Sequence, residues 1–206
     1  MGIITKIEAQ KKNNQRVNIY IDGGFVCGLT LETVILRRLK VGAEADEDEL
    51  KQAVTEDEKK RAFNALLNSL AAKTQTKKQA EEYLFKKEFI AEAVEYAVGK
   101  AVEYGYVDDE KYAEQYLSVH GGKSGKLKIK SELFSRGINA EIIENLLRGY
   151  DDGGAAYELL SKYLRGEPPA DIKEKNRAAR YLAGKGCSYA AIKNAFERLE
   201  KGEDTD

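Results

Sequence analysis

Apolar and polar positions repeat along this chain at a fixed interval. The stretch Leu133-Phe134-Ser135-Arg136-Gly137-Ile138, followed by Ile142 and Ile143, has an upstream counterpart in Leu84-Phe85-Lys86-Lys87-Glu88-Phe89 with Ala93 and Val94, and a downstream one in Leu182-Ala183-Gly184-Lys185-Gly186-Cys187 with Ala191 and Ile192. Successive copies are 49 residues apart. Each copy reads as the end of a helix, a turn and the start of a new helix. A basic residue closes the first helix (Lys87, Arg136, Lys185), and Glu88, Gly137 or Gly186 follows. Glycine suits that place because a helix C-cap commonly needs a left-handed backbone. Beyond the turn, positions 89/138/187 and 93–94/142–143/191–192 fall on one stripe at helical period. Upstream, Lys77/Lys126/Lys175 and Ala80/Ile129/Ala178 extend the match, so basic positions repeat as faithfully as apolar ones.

Outside the repeat, residues 3–9 and 16–22 alternate β-branched with polar side chains around a polar turn at 11–15, which predicts a hairpin. Gly23-Gly24 turns the chain into a third strand at Phe25–Leu29. Thr30 is placed to cap a short helix over Leu31–Leu39 that ends near Gly42, and Asp46 or Asp48 to cap another through Leu50 and Val54. From Thr55 onward the signals are helical. Thr76 precedes a helix over 77–86, Ile90–Tyr104 makes a longer one, and Asp108 or Asp109 caps the next. Gly121–Gly125 breaks that helix, 126–136 and 140–148 follow, and a last unit starts near Gly153-Gly154 and breaks at Pro168-Pro169. A three-helix unit of about fifty residues buries little apolar surface alone, so neighbours are expected to stack. The expected fold is mainly α: tandem three-helix repeats in an extended or curved array, with a small N-terminal antiparallel β plus helix cap. The expected division is a cap over 1–54, repeats over 55–107 and 108–152, and a third repeat with an acidic tail, Glu203 to Asp206, over 153–206.

Composition adds that 42% of the 206 residues are hydrophobic, enough for packed cores. Formal net charge is −1, so the whole chain has no bulk attraction to nucleic acid or anionic lipid. No apolar run approaches the roughly 20 residues that span a bilayer, and the N-terminus has no signal-peptide pattern, which predicts a soluble, cytoplasmic protein without membrane partners. Locally the charge is segregated. Residues 123–136 hold five Lys or Arg against one acid, 173–201 hold eight against three, and 73–87 hold five against two. By contrast, 103–114 carry five acids against one Lys, and 44–58 carry eight against one, the latter expected as a solvated linker or helix face. Alternating surface charge is common on soluble helices. Three equivalent segments of one sign instead suggest a face for a polyanion. Its candidate residues are Lys123, Lys126, Lys128, Lys130, Arg136, Lys175, Arg177, Arg180 and Lys185.

Catalytic chemistry finds little material. Gly122-Lys123-Ser124 imitates the end of a phosphate-binding loop, but the position of the first glycine is Leu117 and no strand precedes it. His120, the one histidine, has no second His or Cys nearby and is expected to face solvent or cap a helix. Asp108 and Asp109 are expected as caps, Cys27 and Cys187 as small buried hydrophobes, and most of the 12 tyrosines as core or packing residues with a minority exposed for base stacking. No cofactor, metal or enzymatic activity is expected.

The run Tyr106-Val107-Asp108-Asp109-Glu110-Lys111-Tyr112-Ala113 and the segment Lys123-Ser124-Gly125-Lys126-Leu127-Lys128-Ile129-Lys130-Ser131-Glu132-Leu133-Phe134-Ser135-Arg136-Gly137-Ile138 resemble the RecX family of bacterial regulatory proteins, and the N-terminal strand cap resembles that of its Gram-positive branch. Lys126 stands where that family has a proline, and His120 near where it has an arginine. The resemblance implies tandem three-helix repeats that bind the RecA filament and damp its ATP hydrolysis, co-protease activity and strand exchange. With the basic segments it implies a monomer that also touches single- or double-stranded DNA weakly, without sequence preference. The rival expectation is a sequence-specific DNA-binding regulator of helix-turn-helix type, for which 140–148 offers only Asn145 and Arg148 as readers.

Overall fold

The computed structural model describes residues 1–11 and 13–202, so Lys12 in the hairpin turn and the acidic tail from Glu203 lie outside the described residues. Two compact units form: Met1–Thr74 with Ala80–Val107, and Gln75–Gln79 with the chain from Asp108 onward.

In the first unit, β1 (Gly2–Gln10), β2 (Asn13–Ile21), β3 (Gly24–Thr30) and β4 (Glu44–Ala45) make an antiparallel sheet in the order β3-β2-β1-β4. The pair β4–β1, Gly2 facing Ala45, was not foreseen, because two residues carry no periodicity to read. The β2–β3 hairpin turns on Asp22-Gly23 rather than on Gly23-Gly24, both residues having positive φ. Alternation buries Ile4, Val17, Ile19 and Leu29 on one face, closed by Val34 of α1 (Leu31–Leu36) and by Leu50 and Ala53 of α2 (Glu47–Ala72).

Helix α2 runs through residues 54 and 55 without a break, and its two halves serve two cores. Ala62 and Leu66 of its second half pack with Leu84 of α3 (Lys77–Lys86) and with Ala93, Ala97 and Ala101 of α4 (Ala91–Glu103). Alanines at every fourth residue give α4 a small-residue stripe that lets it lie close along α2. The acidic stretch 44–58 is not wholly solvated: Asp57 is 2% exposed. Its carboxylate accepts hydrogen bonds from the Thr30 N–H (3.0 Å), the Thr30 hydroxyl and the Thr33 hydroxyl (2.7 Å), with the Arg16 guanidinium 3.8 Å away. A carboxylate so supplied with donors is tolerated where a bare one is not.

In the second unit, α5 (Asp109–His120), α6 (Lys126–Ser135) and α7 (Ala140–Leu147) enclose Ala113, Ile129, Leu133, Ile138 and Ile143. Helices α8 (Gly153–Leu164), α9 (Ile172–Gly184) and α10 (Tyr189–Lys201) enclose Leu160, Ala178, Leu182, Cys187 and Phe196. Leu133 and Leu182, 49 residues apart, are both fully buried, each burial contributing about 1.5–3 kcal/mol. Helix α8 ends at Leu164 on Arg165 and Gly166, both left-handed, before the Pro168-Pro169 break expected from sequence. Asp108 caps α5 by accepting from the Lys111 N–H at 3.0 Å. That hydrogen bond holds its carboxyl below the ordinary range.

Candidate functional site

The turns after α6 and α9 share one geometry. Gly137 (φ +86°) and Gly186 (φ +80°) take the left-handed place, and Glu88 (φ +64°) takes it after α3 without the freedom of glycine. Each glycine also permits a close approach: a side chain at Gly186 would clash with Lys128, and one at Gly137 with Lys78. Hydrogen bonds follow the same plan. The Gly125 N–H donates to the Lys185 carbonyl (3.1 Å) and the Leu127 N–H to the Gly186 carbonyl (2.9 Å), while the Thr76 hydroxyl donates to the Arg136 carbonyl (2.7 Å). Thr76 and Gly125 are themselves 49 residues apart, so the docking of a helix start onto a basic turn is a repeated feature.

Asp152, 2% exposed, ties this arrangement together. Its carboxylate accepts from the Lys126 N–H (3.0 Å), the Ser188 N–H (2.8 Å) and the Ser188 hydroxyl (2.8 Å). Burial alone would push its carboxyl up, but these hydrogen bonds outweigh burial and hold it below the ordinary value. Cys187, in the same turn, is a free thiol that burial pushes up to about 11. It acts as a small hydrophobe rather than a nucleophile.

Around this frame the candidate cations divide into two sets. Several are held by their own unit. Lys126 is half-buried, with its ammonium 3.3 Å from the Tyr150 carbonyl. Arg136 donates to the Tyr112 hydroxyl (3.0 Å), covers the Tyr116 ring at 5.1 Å and lies 3.6 Å from Glu132. Lys175 pairs with Glu200 at 2.8 Å over the Phe196 ring, Lys185 covers Tyr181, and Lys130 meets Glu144 at 3.7 Å. Exposed and without a carboxylate partner among the described residues stand Lys123, Lys128, Arg177 and Arg180, the last donating only to the Asn176 carbonyl. Lys128 and Arg177 are 49 residues apart. On α6, Lys128 lies about 160° around the helix from Lys130, so the three α6 lysines do not share one face. It flanks instead the turn that carries Lys185.

Sequence reasoning missed Lys173. It is exposed on α9 at the i, i+4, i+7 spacing with Arg177 and Arg180, on the side away from buried Ala178 and Leu182. That spacing was readable. His120 stands half-exposed in the last turn of α5, with its ring packed on Tyr116 at a centroid distance of 4.2 Å. The tyrosines follow expectation: Tyr157 is buried, Tyr83, Tyr112, Tyr116, Tyr150 and Tyr181 pack against the cores, and a minority, Tyr96, Tyr104, Tyr106, Tyr163 and Tyr189, is exposed. Ring faces of Tyr83 and Tyr181 meet cations, and the Tyr150 hydroxyl donates to a backbone carbonyl, at the edges of the cores.

Two family models match the chain: the regulatory protein RecX N-terminal domain over residues 2–46, and the RecX second three-helix domain over 108–147. A regulatory protein RecX from Clostridium acetobutylicum is 32% identical over 204 residues, covering 95% of each chain. The chain belongs to the RecX family of regulatory proteins. A RecX from Clostridioides difficile is 32% identical over 212 residues across the full length of both. A crystal structure of regulatory protein RecX superposes with a TM-score of 0.69 at 25% identity, covering 98% of this chain and 100% of the other. The crystal structure of RecX from Lactobacillus salivarius shares the fold, with a TM-score of 0.64 over 70% of this chain and 98% of its own. The second RecX match begins at Asp108, the cap of α5, and ends at the last residue of α7, so Lys123 to Arg136 fall inside it and the α9 cations outside both matches. Among the described residues no helix is long and apolar enough to cross a membrane, and no group of His, Cys, Asp or Glu could hold a metal ion.

Proposed function

We propose that this RecX chain binds the RecA nucleoprotein filament in the cytoplasm, as a monomer, and mainly inhibits its ATPase, co-protease and strand-exchange activities. Family membership supplies the partner. The observation that carries the reading to residues is the equivalent, unpaired pair Lys128 and Arg177, with Lys173 and Arg180 on the same face of α9 as Arg177 and Lys123 exposed in the turn before α6. All but Lys123, which lies in the turn before α6, sit on helices pinned by Asp152 or by the Gly186 turn, and a fixed array of charge suits a regular phosphate or carboxylate surface. The cap over 1–54 and the repeats over 55–107, 108–152 and 153–206 are the units of this reading. DNA contact through about three to five phosphates is weak, sequence-tolerant and steeply salt-dependent, with a dissociation constant of roughly 10⁻⁴–10⁻⁶ M.

The sequence-specific regulator is the weaker reading. Its two candidate readers occupy each other, Arg148 donating to Asn145 at 2.7 Å. Bidentate base recognition needs both free. The deciding experiment is RecA-catalysed ATP hydrolysis on single-stranded DNA with and without an equimolar amount of this protein. Slowed hydrolysis is expected at physiological salt; an unchanged rate, together with unchanged strand exchange, overturns the proposal.

A further inference from the structure

The first unit contains an open cleft of about 730 Å³ that the basic faces of α6 and α9 do not use. Its walls come from the start of β2, the start of α1, the middle of α2 and the turn after α3. Three cations from three different elements line it: Arg16, Arg61 and Lys87. Its one acidic lining residue, Glu32, lies 3.5 Å from the Lys60 ammonium. Desolvation and then repulsion from Arg16 hold the Arg61 guanidinium below its ordinary value, against the opposite pull of Asp57 and Glu58. Arg16 is partly engaged by Asp57 at 3.8 Å, so exposed Arg61 and Lys87 are the cations the cleft offers an anion.

The rest of the lining narrows the anion's chemistry. Arg61, Asn64 and Asn68 follow at helical spacing on one face of α2, and Gln15 faces in from β2. The side chains of Asn64 and Asn68 are exposed and make no hydrogen bond among the described residues. A carboxamide offers donors and an acceptor together, which matches the edge of a nucleobase; a carboxylate-rich peptide would call for donors alone. Phe89 contributes a ring, over which the Arg61 guanidinium lies at 5.6 Å. Cations for phosphates, carboxamides for base edges and an aromatic ring for stacking are the combination by which proteins hold single strands. The volume suits a segment of one or two nucleotides.

We infer that this cleft is a binding site for single-stranded nucleic acid, with phosphates on Arg61 and Lys87, Arg16 fixed behind them, and bases against Asn64, Asn68 and Phe89. The site is separate from the α6 and α9 cations, and its existence does not rest on binding to RecA.

The test uses the full chain and a dodecamer of deoxythymidine carrying one 5-iododeoxyuridine, photocrosslinked and mapped by mass spectrometry, with affinity followed by fluorescence anisotropy. Adducts are expected on Phe89 or its immediate neighbours. The double variant Arg61→Glu, Asn68→Asp is expected to lose them and to bind about tenfold or more weakly. A Lys128→Glu, Arg177→Glu, Arg180→Glu variant is expected to keep the Phe89 adduct, which separates this site from the proposed filament face. Should the Arg61 variant lose its thermal transition, Asn64→Asp with Asn68→Asp, both at exposed positions, replaces it. Adducts confined to residues 108–202, an unchanged affinity in the folded cleft variant, or equal binding of a dodecamer of glutamate would overturn the site.

Discussion

Helices α6 and α9 have the same place in successive three-helix groups of the second unit, yet they commit their cations differently. Equivalent residues Lys126 and Lys175 are both held internally, one by the Tyr150 carbonyl and the other by Glu200. Arg136 and Lys185, equivalent again, both lie over tyrosine rings. The faithful repetition of these basic positions therefore reflects how each unit is built. Lys128 and Arg177 are the equivalent pair with no such partner, and α9 adds Lys173 and Arg180 where the other copy has Ser124, in the turn before α6, and Ser131. Periodicity marks the positions that build the fold, and the positions available to a partner are found among those the fold leaves unused.

The comparison is most severely tested at Asp152, because it holds the starts of both α6 and α10. Asp152→Ala leaves the Lys126 and Ser188 N–H groups without their acceptor, and a loss of about 3 kcal/mol in unfolding free energy is expected from denaturant titration. The group's folded pKa is depressed, so its contribution is present above the unfolded carboxylate value, about 3.9, and disappears as pH falls through the lower folded value. A melting temperature that drops below about pH 4 in the parent protein, with a shallower drop in Asp152→Asn, checks that sign. A neutral effect of Asp152→Ala would break the claim that α6 and α10 share one anchor.

A smaller effect sharpens the same comparison at the turns. Gly186→Ala forces a left-handed residue against Lys128 and is expected to cost about 1–3 kcal/mol. Glu88→Gly relieves the same conformation after α3 and is expected to stabilise by about 0.5 kcal/mol, because strain removed slightly exceeds chain entropy added. Thermal melts of the two variants should move in opposite directions.

Much of this fold was legible. The 49-residue spacing, the caps at Thr30 and Asp108 and the glycine turns are local signals, and local signals survive folding. Thr76 is similar: its hydroxyl accepts from the Gln79 N–H, and its own N–H donates to the Gln79 side chain, both at 3.2 Å. What escaped depends on partners distant in sequence. Asp57 sits in a run of acids and reads as solvated until Thr30, Thr33 and Arg16 arrive from elsewhere. Arg136 reads as a free cation until Tyr112 and Tyr116 take it. The stripe of Lys173, Arg177 and Arg180 was present in the spacing but outweighed by the stronger regularity of the repeat.

The central claim is that the cations the fold leaves unpaired, and not those it holds internally, meet the filament. It is tested most directly by the affinity of the RecA–DNA complex for two variants measured side by side: Lys128→Glu, Arg177→Glu, Arg180→Glu, and Arg136→Gln, Lys185→Gln. The first is expected to melt within about 0.5 kcal/mol of the parent protein and to bind at least tenfold more weakly. The second is expected to lose about 1 kcal/mol of stability and to bind as the parent does. Full binding by the first variant with loss of binding by the folded second would contradict the account.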